Sequence, residues 1–286
     1  MDNGPVLEQA ENPQKMLCDF SSPNIAKEMH VGHLRSTILG DSISRVLEYN
    51  GHSVLRVNHL GDWGTQFGML ICNLFENYPN WMNEMPDISD LEKFYRESKV
   101  LFDQDPEFKK RAQETVVKLQ GGDATCLEAW KLICAESKKC FDEIYTRLDI
   151  DVSPYGESYY NAMIPSVLEE LQAKKLAVED QGALCVFVDK KKPPLIVRKK
   201  DGGFNYDTTD MAAAKYRLVD LKLDRCIYVT DVGQYPHFES IFKGAEMAGW
   251  HDPKKTKMDH MGFGIVLNEK GERMKTRGGN TIRLML

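Results

Sequence analysis

No stretch of this sequence stays apolar for the roughly 20 residues that a membrane-crossing helix needs, and its seven cysteines include no C-x-x-C pair. The first absence argues against a membrane protein. The second argues against a disulfide framework or a zinc site: Cys18, Cys72, Cys126, Cys134, Cys140, Cys185 and Cys226 form an odd, scattered set that fits reduced thiols. The N-terminal stretch MDNGPVLEQAENPQ lacks the basic and apolar regions of a secretory signal. Internal repeats and low-complexity segments are missing as well. Neither G-x-x-x-x-G-K-[ST] nor a G-x-G-x-x-G after a strand occurs, so two common phosphate-loop signatures are out. Positive charge is not in excess: a net charge of −6 speaks against a general nucleic-acid sponge. Lys190, Lys191, Lys192, Arg198, Lys199 and Lys200 do crowd one stretch, which reads as a solvated hairpin.

What is present fits one large domain or two modest ones: 286 residues, 42% hydrophobic and 28% charged. Residues 1–14 read as a flexible tail. KMLCDFS (15–21) predicts a buried strand, and Pro23-Asn24 keeps the following backbone out of helix. A helix is expected from His30 to Tyr49, with Leu34, Ile38, Ile43, Val46 and Leu47 near a 3.6 period and Asn50-Gly51 as its stop. SVLRVNHLGD (53–62) predicts the next strand, so the opening is a βαβ unit and a parallel sheet. Residues 69–148 look almost wholly helical, and 151–200 mix one helix (161–176) with the short strands ALCVFVD and LIVRK. Alternation returns with CIYVTD, HFESIFKGAEMAG and MDHMGFGIVL. The division that follows is a first half of a parallel-sheet domain at 15–75, an insertion at 76–200 and a second half at 201–286. The fold class is thus α/β, a parallel-sheet domain split by a largely helical insertion.

The chemistry gathers at SSPNIAKEMHVGHLRST (21–37). Two histidines, His30 and His33, flank Gly32 at a helix mouth, with Lys27 upstream. Backbone amides at a helix N-terminus attract anions, two imidazoles add donors, and a residue without Cβ lets a ribose or base approach the backbone. That set suits a nucleoside triphosphate attacked at its α-phosphate. Two surface histidines or a metal pair are the plainer readings. A metal site would need a further ligand at suitable spacing, and none is found.

S-P-N-I-A-K-E-M-H-V-G-H-L-R-S-T together with G-D-W-G-T-Q-F-G resembles the class I aminoacyl-tRNA synthetases, whose signature is H-I-G-H. Within them the sequence is similar to arginyl-tRNA synthetases of the eukaryotic cytosolic kind. The likeness runs on through Y-T-R-L-D, G-E-S-Y-Y, D-G-G-F-N-Y-D-T-T-D-M-A-A, D-V-G-Q and H-M-G-F-G-I-V-L, over about residues 15 to 286. It implies a Rossmann-like nucleotide-binding catalytic domain, with ATP and Mg²⁺ as substrate, no tightly bound cofactor and no protein-held metal. The implied ATP-binding residues are His30, Gly32, His33, His260, Gly262, Lys275 and Arg277, with His30, His33 and Lys27 acting in catalysis. The implied arginine-binding residues are Ser22, Pro23, Asn24, His33, Glu157, Tyr206, Asp210 and Gln234. The second class signature, K-M-S-K-S, is degenerate here as Met274-Lys275-Thr276-Arg277-Gly278-Gly279, and Lys27 stands where relatives with a degenerate loop carry a compensating lysine.

Physics is compatible with that assignment. A guanidinium has five donors and a permanent charge, so a selective pocket needs a carboxylate and a flat aromatic wall. Tyr206 and Asp210 are four apart and share a face if that turn is helical, though taken alone they read more simply as a helix start. Gln234 follows a strand end, where open α/β sheets bind ligands, or it is a turn residue. His260, Gly262 and Gly264 match the adenine side of the family's site, or form a bulge. Trp63 and Gln66 are expected to shape the site wall, with a core role favoured for Trp63. The expected reaction joins L-arginine to tRNA(Arg) in the cytoplasm, without membrane or DNA, and the full-length protein is expected in a multi-synthetase complex. The missing anticodon-binding domain suggests a truncated chain. Two other readings follow: a catalytically weak core acting as an arginine- and ATP-binding or interaction module, and a different H-x-G-H adenylyltransferase.

Overall fold

Strand and helix alternate from the start of the chain, in a computed structural model that describes residues 9–83, 91–264 and 271. β1 (Lys15–Asp19), α1 (Val31–Tyr49) and β2 (Ser53–Asn58) make the opening βαβ unit. Four helices follow: α2 (Thr65–Asn77), α3 (Leu91–Gln104), α4 (Pro106–Gln120) and α5 (Ala124–Leu148). Then come β3 (Ser153–Pro154), a 3₁₀ segment (Glu157–Met163), α6 (Ile164–Ala173), and the strands β4 (Ala177–Asp180), β5 (Ala183–Val186) and β6 (Leu195–Arg198). α7 (Tyr206–Lys215) runs into a π-helical turn (Tyr216–Asp220), and β7 (Arg225–Tyr228), α8 (Tyr235–Met247) and β8 (Lys257–His260) complete the order.

Five strands form one parallel sheet in the order β3-β2-β1-β7-β8. β1 is central, and four of its five residues are buried, which is why Met16, Leu17 and Cys18 are consecutive apolar residues rather than an alternating pattern. The two faces separate cleanly. Leu17, Cys226 and Tyr228 point into a core shared with α6, α7 and α8. Cys18, Phe20, Ile227 and Val229 point the other way, toward Ile43 and Leu47 of α1. The α2–α5 helices build a third core around Phe67, Leu70, Phe108 and Ile133, and Ile25, Ala26 and Met29 of the segment before α1 are packed into it. That segment therefore bridges the sheet and the helical layer. The chain returns to the main sheet at β3, inside the stretch assigned from sequence to the insertion.

The helix expected at 30–49 is there, but its apolar period does not mark its buried face. Ile38 is 47% exposed and Val46 59%, whereas the buried positions are Ser36, Thr37, Gly40, Asp41 and Ser44. The reason is close approach. Gly40 lies against Phe20, where a Cβ would overlap the ring. Hydroxyls replace methyls as spacers: Ser36 Oγ donates to Val229 O at 2.6 Å and accepts from Ser21 N at 2.9 Å. A stripe of small polar residues lets a helix sit lower on a sheet than leucines would allow, and hydrogen bonds offset the burial of its polar atoms.

The expected helix at 161–176 is α6, preceded by a 3₁₀ segment, and its N-terminus is set by Pro165 in the first turn. β4, β5 and β6 form a small antiparallel sheet. Gln181 and Gly182, both in the left-handed region, make its first turn. The basic stretch spans the β5–β6 turn and β6. Arg198 pairs with Glu179, Lys192 with Glu239 and Lys199 with Asp201, at 2.9, 2.5 and 3.2 Å.

Candidate active site

Much of what could act on a ligand sits at the C-terminal ends of the sheet's strands: Asp19 to Asn24 at the end of β1, His59 to Asp62 after β2, Thr230 to Gln234 after β7 and His260 to Gly262 at the end of β8. That rim is where open parallel sheets bind ligands.

At the mouth of α1, His30 is the N-cap. Its Nδ1 accepts from Gly32 N at 3.1 Å, and His33 Nδ1 accepts from His30 N at 3.1 Å, a reciprocal capping box made by two imidazoles. The rings stack with centroids 3.9 Å apart. Because each Nδ1 is an acceptor, each ring is neutral and carries its proton on Nε2. Electrostatics agrees: burial, then His30 and Lys27, pull the His33 pKa down to about 3, and burial with Lys27 lowers that of His30. Gly32 serves this arrangement directly, since a Cβ there would meet His30 Cε1 at 2.9 Å. Lys27 lies over the ring of Tyr95 of α3, Nζ 4.9 Å from its centroid.

The Ser-Pro-Asn segment is held in a strained path. Ser21 and Ser22 have φ of 72° and 46°, unusual for residues with a side chain and costing about 1–3 kcal/mol each. Three elements over-determine it. Ser22 N donates to Asn58 Oδ1 at 2.9 Å, Ser22 Oγ to Asp19 Oδ1 at 3.2 Å, and Ser21 Oγ meets Tyr145 Oη of α5 at 2.7 Å. Asp19 is itself fixed by Arg217 of the π-helical turn, 2.7 Å away and 1% exposed. Pro23 O accepts from Gly61 N at 3.1 Å, and Asn24 pairs with Gly61 in a parallel bridge.

The acidic part centres on Asp210. α7 starts at Asn205, whose side chain and that of Thr208 form a capping box, so Tyr206 and Asp210 lie one turn apart. Two imidazoles, both missed in the sequence, flank the Asp210 carboxylate. His59 Nε2 lies 3.2 Å from Oδ1 and His237 Nε2 2.6 Å from Oδ2. Against the cost of burial, they hold Asp210 well below the usual carboxylate range. Tyr206 stands edge-on to His237 with centroids 4.9 Å apart. Glu157, whose Oε2 accepts from Trp63 N at 3.3 Å, is raised by burial to about 7, with His59 opposing and the Asp210 charge adding. Gln234 is exposed one turn before His237, at the start of α8. Trp63 is a core residue, 5% exposed, with its indole N–H on Asn161 Oδ1 at 2.8 Å; Gln66 donates to Gly61 O at 2.9 Å.

On the far side, His260 Nε2 is 2.7 Å from Thr230 Oγ1 and its ring stacks on Phe238. Gly262 faces Val232, and Gly264 O accepts from Arg35 of α1 at 2.7 Å. Lys275 and Arg277 lie outside the described residues. The structure thus brings Ser22, Asn58, Asp19 and Arg217 into one network and Asp210, His59, His237 and Tyr206 into another. Asp19, Arg217, His59 and His237 were not anticipated. The signal for the two histidines was positional, an imidazole just beyond the end of β2 and another in the first turn of the helix that follows β7.

Comparison with known proteins gives this geometry its setting. Residues 2–286 match the family described as tRNA synthetases class I (R), catalytic domain. An arginine–tRNA ligase of Synechococcus is 53% identical over 97% of this chain and 49% of its own length. A cytoplasmic arginine–tRNA ligase of Xenopus tropicalis is 52% identical over 95% of this chain and 41% of its own. The crystal structure of arginyl-tRNA synthetase from Plasmodium falciparum superposes with a TM-score of 0.79 at 47% identity, covering 90% of this chain and 44% of that one. The chain spans about half the length of the curated relatives it matches. Cyanobacterial and vertebrate relatives match equally well, so a specifically eukaryotic kind is not singled out. With a parallel sheet of the expected fold class and a match along nearly its whole length, the chain belongs to the class I arginyl-tRNA synthetase family, in the region of its catalytic domain.

Proposed function

We propose that this chain forms the catalytic region of an arginine–tRNA ligase, activating L-arginine with ATP and passing the arginyl group to tRNA(Arg). The observation that carries the reading is the Asp210 carboxylate, 19% exposed and kept ionised beside Tyr206, at the same strand-end rim as the paired His30 and His33 rings. A buried carboxylate beside a flat ring fits a guanidinium, and neutral Nε2–H donors at a helix N-terminus fit a triphosphate.

In this reading Asp210, Glu157, Tyr206 and Gln234 receive the side chain, and Ser22, Pro23, Asn24 and His33 the arginine backbone. ATP lies across His30, Gly32, His33, His260 and Gly262, with Lys275, Arg277 and Lys27 adding positive charge. The arginine carboxylate attacks the α-phosphate and pyrophosphate leaves; a terminal ribose hydroxyl of the tRNA then attacks the arginyl carbonyl and AMP leaves. His30 and His33 hold the charge that grows on the α-phosphate, and position and charge carry the rate without a covalent enzyme intermediate. Mg²⁺ travels with the triphosphate as part of the substrate; no cluster of three or more His, Cys, Asp or Glu among the described residues fits a protein-held metal.

Arginine-dependent ATP–pyrophosphate exchange, with and without tRNA(Arg), is the test. Exchange in either condition supports the ligase. Its absence in both, with arginine binding retained, favours the second reading, a weak core acting as an arginine- and ATP-binding module, which the half-length coverage makes worth testing. We extend the proposal to a division at residues 14, 75 and 200, to a cytoplasmic location, in keeping with the relatives named cytoplasmic, and to a multi-synthetase complex for the longer protein. Among the described residues no helix is long and apolar enough to cross a membrane.

A further inference from the structure

We propose that His237 is the resident counter-ion of the carboxylate that receives the guanidinium, and that arginine binding releases a proton from His237 Nε2. The inference rests on the assignment of Asp210 to the arginine side chain. His237 Nε2 is 2.6 Å from Asp210 Oδ2 and Nδ1 is 3.5 Å from Asp207 Oδ1. A ring with one carboxylate oxygen at hydrogen-bond distance from Nε2 and a second within ion-pair distance of Nδ1 is best matched by the imidazolium, which carries a proton on each nitrogen.

His59 is different although it shares Asp210. Burial lowers its pKa and the bond and charge of Asp210 raise it to a net increase, but its Nδ1 is buried without a partner. A second proton there would have no acceptor, so the neutral ring donating through Nε2 fits the geometry better. The other titratable groups on this site are Tyr206 of α7, Glu157 of the 3₁₀ segment, and His260 of β8, which stacks on the neighbouring Phe238. On the outer face of α8, Glu239 is occupied by Lys192. The charge on His237 therefore answers to Asp207 and Asp210, which against burial raise it to about 9.

A guanidinium cannot give up its proton and an imidazolium can. When the ligand cation reaches Asp210, two cations face one largely buried carboxylate. The proton on Nε2 leaves to solvent, Asp210 Oδ2 accepts from the guanidinium instead, and the remaining Nδ1–H stays on Asp207. The site is thus charged and hydrogen-bonded before the ligand comes, and only a ligand with its own permanent charge on that carboxylate displaces the proton.

Titration calorimetry of L-arginine into the 286-residue chain, at about pH 7.5 in buffers of different ionisation enthalpy, reads the proton number from the slope of heat against that enthalpy. About one proton released per arginine is expected, falling to about half or less in His237→Gln, where Glu157 and His59 remain to titrate, and largely kept in Glu157→Gln. Arginine binding with buffer-independent heat overturns the inference, as does His237→Gln releasing as many protons as wild type. If His237→Gln does not fold, the decision rests on wild type and Glu157→Gln, and a slope that vanishes in Glu157→Gln overturns it. No arginine binding at all rejects the functional reading, and the inference with it.

Discussion

His33 at the mouth of α1 and His237 in the first turn of α8 are histidines on the same sheet rim, yet the fold gives them opposite charge. His33 is held neutral, its pKa near 3, by burial beside a second imidazole and a lysine. His237 is held charged, its pKa near 9, by two carboxylates of α7. The contrast shows where charge state comes from. In His33 it follows from burial first and then from close chain neighbours, His30 three residues away and Lys27 six. In His237 it follows from residues 27 and 30 positions earlier, brought close only when α7 packs on α8. The neutral pair offers donors to an anion without adding charge that titrates near neutrality; the charged one stands in for a cationic ligand.

The largest expected effect breaks the neutral side. His33→Ala removes one donor to the developing α-phosphate charge and should cut adenylate formation by about 10²–10³, while loss of its share of the capping box costs the fold only about 1 kcal/mol. Pyrophosphate exchange measured beside thermal unfolding separates the two, and exchange equal to wild type would remove His33 from the mechanism.

Next comes the acidic side. Asp210→Asn leaves His237 with Asp207 alone and a guanidinium without its carboxylate, so arginine binding should weaken by on the order of 2–4 kcal/mol. Calorimetry decides, and an unchanged affinity would refute the assignment. ATP binding, carried by the other region, should move little.

The pH dependence of stability sharpens the contrast without a ligand. The folded pKa of His237 lies above the unfolded value, so its contribution is complete below about pH 6.5 and is lost as the pH rises through about 9. For His33 the folded value lies below, so its contribution is present above about 6.5 and disappears as the pH falls toward about 3. Unfolding at a series of pH values should show His237→Gln flattening the alkaline limb, by on the order of 2 kcal/mol, and His33→Ala the acid limb. A wild-type alkaline limb that survives in His237→Gln would mean that His237 is not the charged partner.

Much of this was legible beforehand. Strand, helix and strand at 15–58 follow from a buried run, a cap signal and a second buried run. Tyr206 and Asp210, four apart, were expected to share a face if that turn is helical, and α7 makes it so. What the sequence hid were contacts made over long separations. The face of α1 was misjudged because serine and threonine, polar in any hydropathy pattern, serve there as spacers bonded to Val229 O and Ser21. Asp19 and Arg217 drew no reading from the sequence, but a π-helical turn buries the arginine against Tyr160 and Tyr228 and makes it the anchor of the Ser21–Ser22 bend. A single arginine or histidine carries no mark of such a partner.

The smallest effect expected is at Lys27, between the two regions in chain and in role. Its charge contributes to keeping His30 and His33 neutral, and its ammonium lies over Tyr95, a contact worth about 0.5–1 kcal/mol at a partly exposed site. Lys27→Ala should therefore raise the KM for ATP by only a few-fold, on the scale of about 1 kcal/mol for a screened charge, and leave the arginine Kd as it was. Tyr95→Leu, which removes the ring but keeps the lysine, should act in the same direction and more weakly. If Lys27→Ala weakens arginine more than ATP, its charge serves the acidic region, and the division between a neutral nucleotide side and a charged amino-acid side fails at the residue that joins them.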